Sequence, residues 1–150
     1  MSDKPSASAI DAWSRLVRAE QALLSRVEDD LKREGLPPLA WYDMLYELDQ
    51  APEGMLRQAA VQEHMLLAQY NLCRLVDRLE REGLVERRTC PEDARSNVLI
   101  ITEAGRKLRA RMWPAYGRAI EAHLGRRLSR EDAERLAAIL GKLLPSKPEE

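Results

Sequence analysis

Asn71, Arg74, Arg78 and Arg81 recur on one side of a segment whose other side is Leu72, Leu75, Val76 and Leu79. The apolar four fall at i, i+3, i+4 and i+7, the pattern of a helix resting one stripe on a core. The free side, extended by Gln69 and Tyr70, then shows amide and guanidinium groups to solvent. Such groups match what a DNA major groove offers, since asparagine pairs with adenine and arginine with guanine. Asn71 and Arg74, three apart near the start of the helix, are the candidates for base edges. Gln69 and Tyr70 suit phosphates or a thymine methyl, and Arg78 and Arg81, further along, suit phosphates.

Gly83 closes this helix, as a glycine just past the last turn commonly does. Two short β-prone runs follow, 84–89 and 97–101, separated by Pro91-Glu92-Asp93-Ala94-Arg95-Ser96. A turn-rich hexapeptide between such runs predicts a β-hairpin. Arg95 at its tip would enter a narrow, electronegative minor groove, with Asp93 orienting the guanidinium by charge-assisted hydrogen bonds. Arg87 and Arg88 are neighbours on a strand, so only one can face a duplex, and Arg88 is the candidate. A helix followed at once by a basic-tipped hairpin outlines a winged helix.

The runs RLVDRLEREGLVERR, CPEDARS and LIITEAGR resemble the core signature of the MarR family of transcriptional regulators. The match is continuous through this segment and extends more weakly over roughly residues 10–144. The resemblance implies that the helix is a recognition helix and that Asp93-Ala94-Arg95 delivers arginine to the minor groove. It departs from the family at Ala68, where Ser or Thr often opens the helix, and at Tyr70 and Cys73. Those departures bear on which bases are read.

The elements that must hold this segment are helical. From Ala9 to Glu34 runs a long pattern with Ile10, Trp13, Leu16, Val17, Leu23, Leu24, Val27 and Leu31, ended by Gly35 and Pro37-Pro38. Leu39–Asp49 is a second helix. Met55 to about Met65 reads as a short helix with Leu56, Ala60, Val61 and Met65 inward, the brace of a helix-turn-helix. Thr102 is an N-cap for a helix from Glu103 to about His123, which Pro114 should bend. Ser129 opens a last helix through Leu143. The predicted fold is mainly α with a small β-hairpin wing, one domain over 1–150. Its winged helix-turn-helix occupies 39–102, and flanking helices 9–35 and 103–144 carry more leucine and isoleucine than one chain of this layout covers. The resemblance implies that these flanking helices form a two-fold homodimer. A dimer would read a palindromic operator in double-stranded DNA with half-sites about 34 Å apart.

Composition sets the outer limits. The chain has 150 residues, a formal net charge of −1 and 33% charged residues, so it is neither disordered nor basic overall. Arg74, Arg78, Arg81, Arg87, Arg88 and Arg95 fall within one short segment while acids dominate 20–34 and 47–63, a local sign asymmetry that the net charge hides. Two cysteines, Cys73 and Cys90, make no disulfide framework. No apolar run approaches a membrane span, so a soluble, cytoplasmic protein with no membrane contact is expected.

Other chemistries draw on residues of the same chain. Trp13, Trp41, Tyr42, Tyr46 and Trp113, with Tyr116, come from three helices and could line an apolar cleft. The resemblance implies a repressor that leaves DNA when a small aromatic effector binds there, although tryptophans at helical spacing also serve as plain core. Cys73, beside Arg74, could act as a redox-sensing thiol or as a small structural residue. His64 has no second ligand at metal spacing, and no phosphate loop or nucleophile motif is present, so no metal, no cofactor and no enzyme activity are expected. A winged helix used for protein contact is the competing function.

Overall fold

The computed structural model describes residues 3–67, 71–89 and 97–145. They form two compact units, one of residues 28–116 and one of residues 1–27 with 117–150. In chain order the elements are α1 (Ala7–Arg33), α2 (Leu39–Gln50), β1 (Met55–Arg57), α3 (Gln58–His64), α4 (Leu72–Arg81), β2 (Val85–Arg88), β3 (Val98–Ile101), α5 (Glu103–His123) and α6 (Arg130–Gly141). The mainly helical architecture with a small sheet is the expected one.

In the 28–116 unit, α2, α3 and α4 share a core with the sheet. Met44, Leu45 and Leu48 of α2 meet Val61 of α3, Leu72, Leu75, Val76 and Leu79 of α4, and Leu84, Val85, Leu99 and Ile101 around the strands. Burying each such side chain contributes roughly 1.5–3 kcal/mol. The apolar stripe read from α4 is therefore its inward face. Gly83, at φ 75°, closes α4. Leu84 donates its N–H to Leu79 O at 2.9 Å and Gly83 to Glu80 O at 3.0 Å, the paired bonds of a Schellman ending.

The sheet is three-stranded and antiparallel, in the order β1-β3-β2. This corrects the expectation that the brace helix begins at Met55. Met55, Leu56 and Arg57 instead pair with Ile100, Leu99 and Val98. Methionine and leucine favour helix, but β3 needs a second neighbour for its backbone groups, and tertiary pairing overrides a weak local preference. Left-handed Glu53 and Gly54 (φ 59° and 68°) turn the chain into β1. The helix that follows, α3, keeps Val61 buried as expected.

Thr102 caps α5 as its position suggested. Its Oγ1 accepts the Gly105 N–H at 3.1 Å and donates to Gly83 O at 2.7 Å, tying the start of α5 to the end of α4. Gly105 permits this approach, since a Cβ there would lie 2.3 Å from Leu84 O. The helix continues through Pro114.

The other unit holds the first part of α1, the end of α5 and α6. Ser6 Oγ accepts the Ala9 N–H at 3.1 Å and Ser129 Oγ the Asp132 N–H at 3.1 Å, so both helix starts are capped by side chains. None of α6 is buried, and Ile10, Trp13, Leu16, Leu136, Ile139 and Leu143 are all exposed. Among the described residues no helix is long and apolar enough to cross a membrane.

Candidate nucleic-acid interface

With its apolar stripe buried, α4 turns Cys73, Arg74, Asp77, Arg78, Glu80 and Arg81 outward. At about 100° per residue, Arg74, Arg78 and Arg81 share one flank. Arg74 and Arg81 are exposed and form no ion pair among the described residues. Arg78 is held: its guanidinium reaches Glu82 at 3.2 Å and stacks 5.8 Å from the centre of the Trp41 ring. At an exposed site that stacking contributes about 0.5–1 kcal/mol, little enough to yield to a phosphate.

Asn71 lies one step ahead of where the sequence reading placed it. It is the N-cap of α4, at φ −121° and ψ 50°, rather than a residue on the helical flank, and its side chain makes no capping bond. Its amide is exposed at the end of the helix. Gln69, Tyr70, Asp93 and Arg95 lie outside the described residues, as does Cys90.

The strand alternation separates the two wing arginines. Arg87 points back to α4 and pairs with Asp77 and, at 3.8 Å, with Glu80. Arg88 faces solvent and has no ion-pair partner among the described residues. Two of the acids interleaved among the arginines are thus occupied by Arg87, which leaves the Arg74 flank more positive than the sequence alone suggests. Cys73 is exposed on α4, 3.7 Å from the Gln58 Nε2 that donates to it.

The aromatic candidates divide. Tyr42 is buried, stacks on Tyr46 at 5.8 Å and on Trp113 at 6.2 Å, and meets Tyr116 edge-on at 5.0 Å. Burial raises the Tyr42 pKa, while a hydrogen bond from Arg109 opposes the rise. Arg109 also binds Asp49 at 2.5 Å, and Arg106 pairs with the same carboxylate. Trp41 is absent from these ring contacts. It lies under Arg78 and lines a separate cleft of about 430 Å³ with Leu84, Leu108, Glu82, Lys107 and Arg111. Trp13 is 69% exposed in the other unit.

Sequence reasoning did not single out Asp49 and Arg109. Their meeting spans 60 positions and follows no local period. Among the described residues no cluster of His, Cys, Asp and Glu could hold a metal ion.

Residues 34–96 match the family model described as MarR family. Over 95% of this chain and 91% of the other, the structure is similar to Sco3205, a MarR family transcriptional regulator from Streptomyces coelicolor solved in complex with DNA, with 26% identity and a TM-score of 0.81. It also shares its fold with BpsR of Bordetella bronchiseptica, whose DNA binding is regulated by 6-hydroxynicotinic acid (20% identity, TM-score 0.74, 98% and 99% of the two chains). A mutant MarR from E. coli complexed with operator DNA has the same fold (21% identity, TM-score 0.74, 95% and 100% coverage).

Proposed function

We propose, from the match of residues 34–96 to the MarR family model, a homodimeric, sequence-specific DNA-binding transcriptional regulator. It acts in the cytoplasm as a repressor, released by a small aromatic effector. The observation that carries the DNA part is the flank of α4. Arg74 and Arg81 stand exposed on a helix whose opposite face is locked into the core. Arg74 reads a base edge and Arg78 and Arg81 hold phosphates, with Asn71 at the helix start and Arg88 on the wing beside them. Gln69, Tyr70, Asp93 and Arg95 complete the interface by the family resemblance. The likeness to a regulator solved with DNA supports this reading.

The dimer part rests on the exposed apolar side chains of α1 and α6, which need a second copy to cover them. Doubling also suits a reader with one recognition helix per chain. The effector part rests on Trp41, Tyr42, Tyr46 and Trp113 and on the ligand-regulated relative. Effector binding would shift the two recognition helices out of register with their half-sites.

Selecting bound sequences from random duplex DNA tests the proposal. A two-fold symmetric motif is expected. No enrichment would favour a protein-contact winged helix. A motif lost on oxidation but kept in a Cys73→Ser variant would favour a thiol sensor. Arg95→Ala should weaken operator binding by more than about 1 kcal/mol and flatten its salt dependence, and an unchanged affinity would remove the wing from the interface.

A further inference from the structure

Asp43 is the one buried charged side chain among the described residues, 4% exposed in the middle of α2. A carboxylate in such a place is costly unless its oxygens are bonded. Both are. Oδ1 accepts the Leu66 N–H at 3.0 Å and Oδ2 accepts the Leu67 N–H at 2.9 Å. Those two residues follow the end of α3, where Met65 turns extended at φ −62° and ψ 141°. They belong to the connector from which the chain goes on to α4.

Outside a helix or strand, these consecutive N–H groups have no ladder to join, and Asp43 supplies the acceptors that a regular element would have. An apolar residue would fill the same space at lower cost but would leave both donors orphaned. Burial raises the Asp43 pKa, and the two backbone bonds oppose that rise. The carboxylate is therefore retained against its own desolvation, which is expected of a side chain fixing a geometry rather than adding bulk stability. On the same helix, the preceding residue is Tyr42, the centre of the aromatic cluster. The negative charge of Asp43 is also felt by Tyr116 of α5.

We propose that Asp43 is a positioning residue for DNA reading: by gripping Leu66 and Leu67 it fixes the direction from which α4 is presented, and it ties that direction to the aromatic face of α2. This rests on the reading of α4 as the helix that enters the groove. Asp43 itself touches no base or phosphate. Its role is to make the orientation of the Arg74 flank depend on where α2 lies.

Two variants test it on the full-length chain. Asp43→Asn keeps the shape but turns one acceptor into a donor facing an N–H. It should stay folded by circular dichroism, lose amide-exchange protection at Leu66 and Leu67, and bind the selected operator about tenfold more weakly. The slope of log affinity against log salt should be unchanged, because no phosphate contact is lost. Leu66→Pro removes one donor from the other side. The extended Met65 tolerates a following proline, and the Leu66 side chain, 78% exposed, has little packing to lose.

When Leu66→Pro is already in place, the amide that Asp43→Asn introduces no longer faces that donor. Adding Asp43→Asn should then cost much less than tenfold. Non-additivity of this kind marks two residues acting through one bond. Independent, multiplying effects would overturn the proposal. So would an Asp43→Asn protein with wild-type operator affinity, or one whose salt slope flattens. A wild type that binds duplex DNA while any of these three results holds leaves the regulator reading intact and removes only Asp43. A wild type indifferent to DNA removes both.

Discussion

Between residues 28 and 116, Leu45, Leu48, Val76, Leu79 and Leu99 are sealed into one core. In residues 1–27 with 117–150, Trp13, Ile139 and Leu143 stand open, and α6 buries nothing. Both regions contain helices with an apolar stripe. They differ in where the apolar stripe finds its cover. The first region supplies its own from three helices and a sheet. The second has stripes without a described cover, which suits an element completed by another copy of the chain.

Breaking the second region should have the largest effect. Ile139→Glu, on a residue 56% exposed in the isolated chain, is expected to give a folded monomer by sedimentation. Operator affinity should drop by about 10³-fold as bivalent binding is lost. A dimer of unchanged affinity would show that this face is not an interface. Breaking the first region acts on stability instead. Leu79→Ala, at a fully buried position, should cost about 3 kcal/mol in denaturant unfolding. A cost under about 1 kcal/mol would mean that α4 is not anchored as described.

A smaller effect separates reading from holding. Arg74→Ala should relax preference at one position per half-site by about 1–3 kcal/mol, seen as a changed selected motif, with folding stability untouched. An identical motif would exclude Arg74 as a reader. The smallest effect is in pH. Burial raises the Asp43 pKa from 3.8, so the folded state holds that proton more tightly than the unfolded chain. The associated stability is present below about pH 4 and is lost as pH rises through the raised value. The stability of wild type minus Asp43→Asn should therefore fall with rising pH across that window. A flat difference would mean the carboxyl is not desolvated.

What the sequence disclosed follows from range. Gly83, Thr102 and Ser129 act on residues within a few positions, and each closes or opens a helix as its chemistry suggests. The α4 stripe was legible because its period is local. Met55–Arg57 was not, because its strand character comes from Leu99 and Ile100, more than 40 positions away. Strand alternation allows one of Arg87 and Arg88 to face outward, and the sequence reading takes Arg88; what it does not show is that Arg87 turns inward to Asp77 and Glu80. That Trp41 parts from Tyr42 and Tyr46 to meet Arg78 follows from adjacent helical positions pointing about 100° apart, but the partner itself is seen only in space. Asp43 carried no signal at all, its partners lying 23 and 24 residues on.

The central claim, a positive helical flank presented twice to one duplex, is tested most directly by weighing the complex. Sedimentation of the purified protein with its selected duplex at low ionic strength should show two chains on one DNA, with affinity falling steeply as salt is added. A monomer that leaves the duplex sedimenting alone would contradict the account.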